Sequence, residues 1–412
     1  MSSFKNRKIL NDPVYGFVTI PTEFLFNIIE HPYLQRLRRI KQLGLTHLVY
    51  PGAMHTRFQH TIGAMHLMQE AVEILRLKGH EITKEENEGV LAAILLHDIG
   101  HGPFSHALEN TIITNTNHEE LSRLFIRHLN VHFENRLEIA QQIFEDKYPK
   151  AFLHQLVASQ LDVDRLDYLK RDSFFSGVSE GIVSSDRIIK MMDIDDDELV
   201  IEAKGIYSIE KFIVARRLMY WQVYMHKTVL AAEYLLMKIL HRAKELVLNG
   251  NELIAPPWFM SFLQNKYGKN DLHSNPRLLE EFSRLDDFDI LSSIKTWCDS
   301  QDKILAQLSD SLINRRLPKT EIQNQPFDPN YVSDLKKKVR NRYRLNEGEA
   351  DYFVFTHKTH NYTYNTVKEK IKIKYKDNTI VDFIEASGQF STETFSGIES
   401  KYFLCYPKLI GW

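Results

Sequence analysis

Cysteine is nearly absent: Cys298 and Cys405 are the only two in 412 residues. That is too few for a disulfide framework, and the two lack the paired spacing of a zinc ribbon. The expected setting is therefore reducing and cytoplasmic. No apolar run approaches the roughly 20 residues that cross a bilayer, and the short basic stretch 1–8 leads into no apolar signal core. The chain reads as neither secreted nor membrane-embedded.

A dominant charge is missing too. Lys and Arg number 52 against 54 Asp and Glu, a formal net charge of −2, so no global field recruits a polyanion. The sequence contains no Gly-x-x-x-x-Gly-Lys-Ser/Thr string and no kinase-like glycine loop. Any phosphate handling must rest on a metal and on side-chain cations. Internal repeats and low-complexity tracts are absent as well.

What is present is an ordinary hydrophobic fraction, 43%, patterned mostly for helices. Residues 8–20 read as two short strands about an Asp-Pro turn. Helical spacing follows at 24–29, 34–40, 62–77, 90–96, 121–129, 137–144, 152–169 and 209–248, with a hairpin near 199–203. Beyond 320 the pattern changes: 323–329 reads as a linker, 331–343 as a basic helix and 370–375 as a hairpin strand. The expected fold is mainly α: a helical bundle over residues 1–320 with small β-hairpins, and a smaller α+β C-terminal lobe over 321–412.

Histidine carries the functional signal. The segment 88–97 is apolar on nearly every face, so it belongs at the centre of the bundle, and it ends on His97-Asp98. An ionised aspartate buried there needs a cation. Two further pieces supply partners: Arg57-Phe58-Gln59-His60, opening an amphipathic helix, and Leu161-Asp162-Val163-Asp164-Arg165, expected inside a helix. Mixed imidazole and carboxylate ligands suit Mn, Mg, Fe, Ni or Zn and leave positions open for water and a phosphate oxygen. A lone His-Asp doublet is more often a hydrogen-bonded core pair. Here it continues as His97-Asp98-Ile99-Gly100-His101-Gly102-Pro103-Phe104-Ser105-His106, and with both flanking pieces in order the string is specific. The protease alternative, His97 and His101 as a His-Glu-x-x-His pair, fails because Gly100, Gly102 and Pro103 end the helix and Asp98 is a shorter arm than glutamate.

These residues resemble the HD superfamily of phosphohydrolases, and the string through His106 is similar to its deoxynucleoside triphosphate triphosphohydrolases. The similarity covers about residues 8 to 227. It implies an HD-domain bundle with metal ligands at His60, His97, Asp98 and Asp164. The catalytic histidine falls on His106, its acidic neighbour on Glu109 where aspartate is usual, and a further active-site histidine on His118. A sugar-reading glutamine falls on Gln42, and Arg57 is both a phosphate contact and part of the catalytic set. Arg165 replaces the usual lysine, keeping charge but changing geometry. Tyr168, Asp172, Arg216, Tyr220 (where histidine is usual), Tyr224 and Lys227 complete the implied substrate site. An allosteric guanine-nucleotide site would draw on Lys8, Asn11, Asp12, Gln35 and Arg38, with Glu30 where aspartate is usual. Such enzymes assemble as homo-oligomers, dimers or tetramers.

From the residues themselves, Asp164, Tyr168 and Asp172 recur every four positions and share one helix face. An imidazole ordinarily titrates near neutral pH, so His106 is a candidate to protonate a departing ester oxygen. The leading reading is hydrolysis of a deoxynucleoside triphosphate to deoxynucleoside and triphosphate by water attack at the α-phosphorus. A second is an HD phosphohydrolase acting on a monophosphate, cyclic dinucleotide or alarmone. A third is a nucleotide-sensing or nucleic-acid-binding module using the basic run 336–344, for which a solvated helix face is the plainer account.

Overall fold

The computed structural model describes residues 8–104, 111–362, 370–388 and 398–408. The chain opens with an antiparallel ribbon, Lys8–Asp12 against Gly16–Ile20, with Asp12 opposite Gly16. One Asp12 oxygen accepts the N–H groups of Val14 (2.9 Å) and Tyr15 (3.0 Å). That local turn leaves its second oxygen for use elsewhere.

Two helices build the centre. Arg57–Leu77 starts at a capping box in which Thr56 donates its N–H to Gln59 Oε1 at 2.8 Å. Lys84–Leu96 starts at the equivalent pair Thr83 and Glu86. From Val90 to Leu96 no residue exceeds 1% exposure. Each buried Leu or Ile contributes about 2 kcal/mol, so this helix is fixed in place and its last turn is a firm mount for His97.

Two expectations about helix limits are corrected. The segment 152–169 is not one helix: Ala151–Val157 stops, the chain extends, and Val163–Ser176 begins. Asp162 is the cause, because its carboxylate accepts the N–H groups of Ser159 (2.7 Å) and Arg165 (2.8 Å) and so caps a new helix. Asp164 therefore lies in a first turn. The segment 209–248 is also divided. Ile206–Met219 passes into a π turn, Tyr220–Tyr224, in which Met225 donates to the Tyr220 carbonyl at 2.7 Å. A fresh helix, Lys227–Leu248, then starts with His226 as its cap. The wider turn resets the register of everything after it.

The hairpin Met192–Asp195 and Glu198–Glu202 is extended by Lys372–Lys374, parallel to Glu198–Glu202, and then by Ile380–Asp382. This sheet spans the boundary expected near residue 320. A second sheet places Ile398–Tyr406 between Lys319–Gln323 and Phe355–Tyr362. The basic run lies on the helix Pro329–Tyr343. No described helix is long and apolar enough to cross a membrane.

Arg36 ties distant parts of the bundle together. It is 1% exposed, and its guanidinium donates to the carbonyls of Ile99 (2.8 Å), His101 (2.9 Å), Leu285 (3.1 Å) and Phe282 (3.4 Å). The loop after His97-Asp98 is thereby held against the segment before the helix Asp287–Trp297. Arg36→Leu strips four buried acceptors of their donor. The expected loss is about 3 kcal/mol of stability, measured by urea unfolding; a loss under about 1 kcal/mol contradicts this role.

Candidate metal centre

Three elements converge on one point. His60 lies one turn into Arg57–Leu77, His97 closes Lys84–Leu96, and Asp164 opens Val163–Ser176. His60 Nε2 and His97 Nε2 are 3.4 Å apart, and Asp164 Oδ1 lies 3.1 Å from the first and 3.4 Å from the second. Donors about 2.1 Å from one shared ion are spaced in this way. Asp98 flanks the triangle. Its Oδ1 is 3.4 Å from His97 Nε2, and its Oδ2, gripped by Arg57 Nη1, is 3.9 Å from His60 Nε2.

The ring nitrogens facing away from this point are already engaged. His60 Nδ1 meets Asp167 Oδ2 at 2.7 Å, and His97 Nδ1 meets the Ile94 carbonyl at 2.7 Å. With Nδ1–H donating outward, each Nε2 is the nitrogen turned to the centre, able to ligate a metal once its own proton leaves. Burial opposes charge on His60, but Asp164 and Asp167 outweigh it and lift the imidazole to about 10. His97 is also raised, against burial, by Asp98 and Asp164. The carboxylates move the other way. Despite burial, Asp98 (beside His101, His97 and Arg57) and Asp164 (beside His60 and His97) both sit well below the usual range. A point that favours positive charge this strongly, ringed by N and O donors, fits a divalent cation.

Behind the histidine runs a buried chain of charge. Asp167 accepts from Arg171 at 2.9 and 3.0 Å, and Arg171 Nη1 donates to the free oxygen of Asp12 at 2.7 Å. Asp167 and Arg171 are 0% exposed. Gly63 makes room for them: a Cβ there would lie 2.0 Å from Arg171 Nη2 and 2.1 Å from Asp167 Oδ1. Further along the helix Val163–Ser176, Asp172 accepts from His55 Nε2 and from the Tyr224 hydroxyl, both at 2.7 Å.

The other expected site residues are distributed as follows. Gln42 donates its N–H to the His55 carbonyl at 3.0 Å, and its buried Oε1 has no partner among the described residues. Arg165 is ion-paired with Asp162, while its Nε and Arg216 Nη1 are buried without acceptors among the described residues. Tyr168 meets Tyr224 edge to face at 6.2 Å, and Tyr220 meets Tyr224 likewise. Burial raises the pKa of Tyr168 and Tyr224, so both keep their hydroxyl protons. His118 stacks on His101 with ring centroids 3.9 Å apart. Burial and the Arg57 cation push His101 down to about 3. Gly100 allows that approach, since a Cβ there would fall 2.2 Å from the His118 carbonyl. Lys227 is exposed. His106 and Glu109 lie outside the described residues. Of the expected regulatory set, Lys8, Asn11, Glu30 and Arg38 are exposed, and Gln35 bridges the Ile29 carbonyl (2.8 Å) and Arg38 Nε (2.8 Å).

Asp167 and Arg171 are not singled out by the sequence, and His55 only as the start of the histidine-rich stretch that runs to His118. Asp167 and Arg171 form an i,i+4 pair that reads from sequence as an ordinary surface bridge; only packing reveals it as buried.

Gly63→Ala is expected to cost about 3 kcal/mol and to lower metal content, checked by denaturation and elemental analysis of the purified protein; an unchanged melting curve contradicts the packing argument. Because His60 and His97 have raised pKa values and a ligand must be unprotonated, cation binding near neutral pH is expected to release protons and to tighten as pH rises. Titration calorimetry in buffers of different ionisation enthalpy measures this, and buffer-independent heats would contradict it.

Comparison with known proteins agrees with this geometry. An HD domain family model matches residues 57–172, the span that contains His60, His97, Asp98 and Asp164, and an HD associated region matches 183–255. The uncharacterized protein YwfO of Bacillus subtilis (strain 168) is 36% identical over 335 residues, covering 78% of this chain and 73% of its own. The deoxynucleoside triphosphate triphosphohydrolase SAMHD1 homolog of Dictyostelium discoideum is 29% identical over 296 residues, 67% of this chain and 57% of its own. A crystal structure of a phosphohydrolase from Bacteroides thetaiotaomicron VPI-5482 superposes with a TM-score of 0.95 at 51% identity, covering 98% of this chain and 100% of that one. With the metal-type cluster seated inside the matched region, the chain belongs to the HD-domain phosphohydrolases.

Proposed function

We propose that this protein hydrolyses deoxynucleoside triphosphates to deoxynucleoside and inorganic triphosphate. The observation that carries the reading is the triangle of His60, His97 and Asp164, flanked by Asp98 and Arg57. The buried donors on Arg165 and Arg216 that have no acceptor among the described residues add to it, as does the name of the Dictyostelium relative. The chemistry such a cation supplies when bound is a lowered water pKa, toward about 7, and a polarised phosphoryl oxygen.

The chain's own residues do the rest. Arg57, Arg165, Arg216 and Lys227 offset the negative charge that spreads over phosphoryl oxygens in the transition state. Tyr168 and Tyr224 form an aromatic corner for the sugar, and Asp172, with both oxygens engaged, acts by holding Tyr224 in it. The buried Gln42 Oε1, without a partner among the described residues, is an acceptor for a sugar hydroxyl. His101 is held low by burial and the Arg57 cation, and the general-acid role is assigned to His106 by the resemblance. Glu109 and His118 belong to the same reading as its supports. A homo-oligomer, with a guanine nucleotide near Lys8, Asn11, Glu30, Gln35 and Arg38, completes it. Tyr220, where the resemblance leads one to expect histidine, favours a second reading in which the same site takes a different nucleotide.

The test incubates protein loaded with Mn or Mg with each nucleotide, with and without dGTP, and separates products by chromatography. Nucleoside plus triphosphate is expected; monophosphate or diphosphate products would overturn the proposal. Asp98→Ala is expected to lower kcat by about 100-fold or more.

A further inference from the structure

The carboxylate of Asp287 performs a task outside both matched regions. Asp287 is the first residue of the helix Asp287–Trp297, yet it does not cap that helix; Asp286 does. It is 1% exposed. Its Oδ1 accepts the N–H of Phe104 at 3.1 Å, and its Oδ2 accepts the N–H of Lys41 at 3.0 Å, with Lys41 Nζ at 3.4 Å. One side chain therefore joins two segments more than sixty residues apart in the chain.

Both segments matter to the site. Lys41 precedes Gln42 and pairs with Thr56 in an isolated antiparallel bridge. Gln42 donates to the His55 carbonyl at 3.0 Å, and Arg57 donates its N–H to the Ile40 carbonyl at 3.0 Å. Holding Lys41 thus holds Gln42 and Arg57 together. Phe104 lies on the stretch that follows His97-Asp98 and passes His101. It has φ +53, a left-handed conformation that a phenylalanine keeps only when its surroundings impose it. Arg36 secures the earlier part of the same loop through the Ile99 and His101 carbonyls. The two histidines of the metal-type cluster are oriented by separate partners, Asp167 and the Ile94 carbonyl, so Asp287 acts on the substrate side and leaves the imidazole ligands in place.

We propose that Asp287 is a positioning residue for sugar recognition, setting the distance between the Gln42–Arg57 segment and the His101–Phe104 loop. It acts through the two backbone amides and touches no substrate. The sugar part rests on the deoxynucleotide reading above; the positioning part does not. Asp287→Asn keeps the size but turns an NH2 toward one of two N–H donors, so one side of the clamp opens.

The experiment compares wild type and Asp287→Asn, with Asp287→Ser as the alternative if the first fails to fold. Hydrogen exchange reads the clamp directly. Faster exchange is expected at Lys41 and Phe104, with exchange around His60 and the Mn affinity both unchanged. Unaltered exchange at both amides, or a general rise accompanied by weaker Mn binding, overturns the proposal. On deoxy- and ribonucleoside triphosphates, the variant is expected to show a raised KM and a deoxy-to-ribo preference reduced about ten-fold. A preference that stays at the wild-type value overturns the sugar role. Wild-type protein that releases no triphosphate refutes the deoxynucleotide reading instead, and the exchange result still decides the clamp.

Discussion

The structure depends on how one buried imidazole is held. His60 can offer Nε2 to a cation only if its Nδ1 proton has an acceptor, and inside a packed helical bundle that acceptor must itself be neutralised. Asp167 accepts the proton, Arg171 offsets Asp167, and Asp12 on the opening ribbon offsets Arg171. Each charge in the chain is tolerable only because the next is present. The ribbon is therefore more than a decoration at the start of the fold. The side chain that closes its turn is also the last link in the support of a metal-type ligand.

The same economy recurs around the site. Asp162 begins a helix and also pairs with Arg165. Ser122 accepts from Gly100 N–H at 2.9 Å and donates to the His97 carbonyl at 2.7 Å, joining the helix His118–His132 to the loop it faces. Asp172 holds His55 on one side and Tyr224 on the other. Polar groups buried this deeply have few alternative partners, so the geometry they impose is well defined. The rigidity is electrostatic and hydrogen-bonded as much as it is hydrophobic.

Much of this is legible in the sequence. The wholly apolar stretch ending on His97-Asp98 could only be a central helix, and Lys84–Leu96 is one. The opening ribbon and the basic helix also appear where the patterning puts them. The misjudged features were local competitions that periodicity does not see. Asp162 looked like a helix interior residue because its neighbours are helix-compatible, yet its carboxylate captures two amides and starts the helix afresh. The π turn at Tyr220–Tyr224 left no trace in a continuous apolar pattern. Asp167 and Arg171 were hidden for another reason: a charged i,i+4 pair looks the same in sequence whether water or a packed core surrounds it.

The sequence alone determined the helical character of the bundle and the identity of the chemically capable residues. Both are encoded in local periodicity and in a contiguous string of side chains. Only the tertiary structure decided which of those residues meet. Distances among His60, His97 and Asp164 depend on the crossing of three helices, and the role of Asp287 depends on two segments it never approaches along the chain. Such contacts arise from packing the whole molecule at once, and no short stretch of sequence contains them.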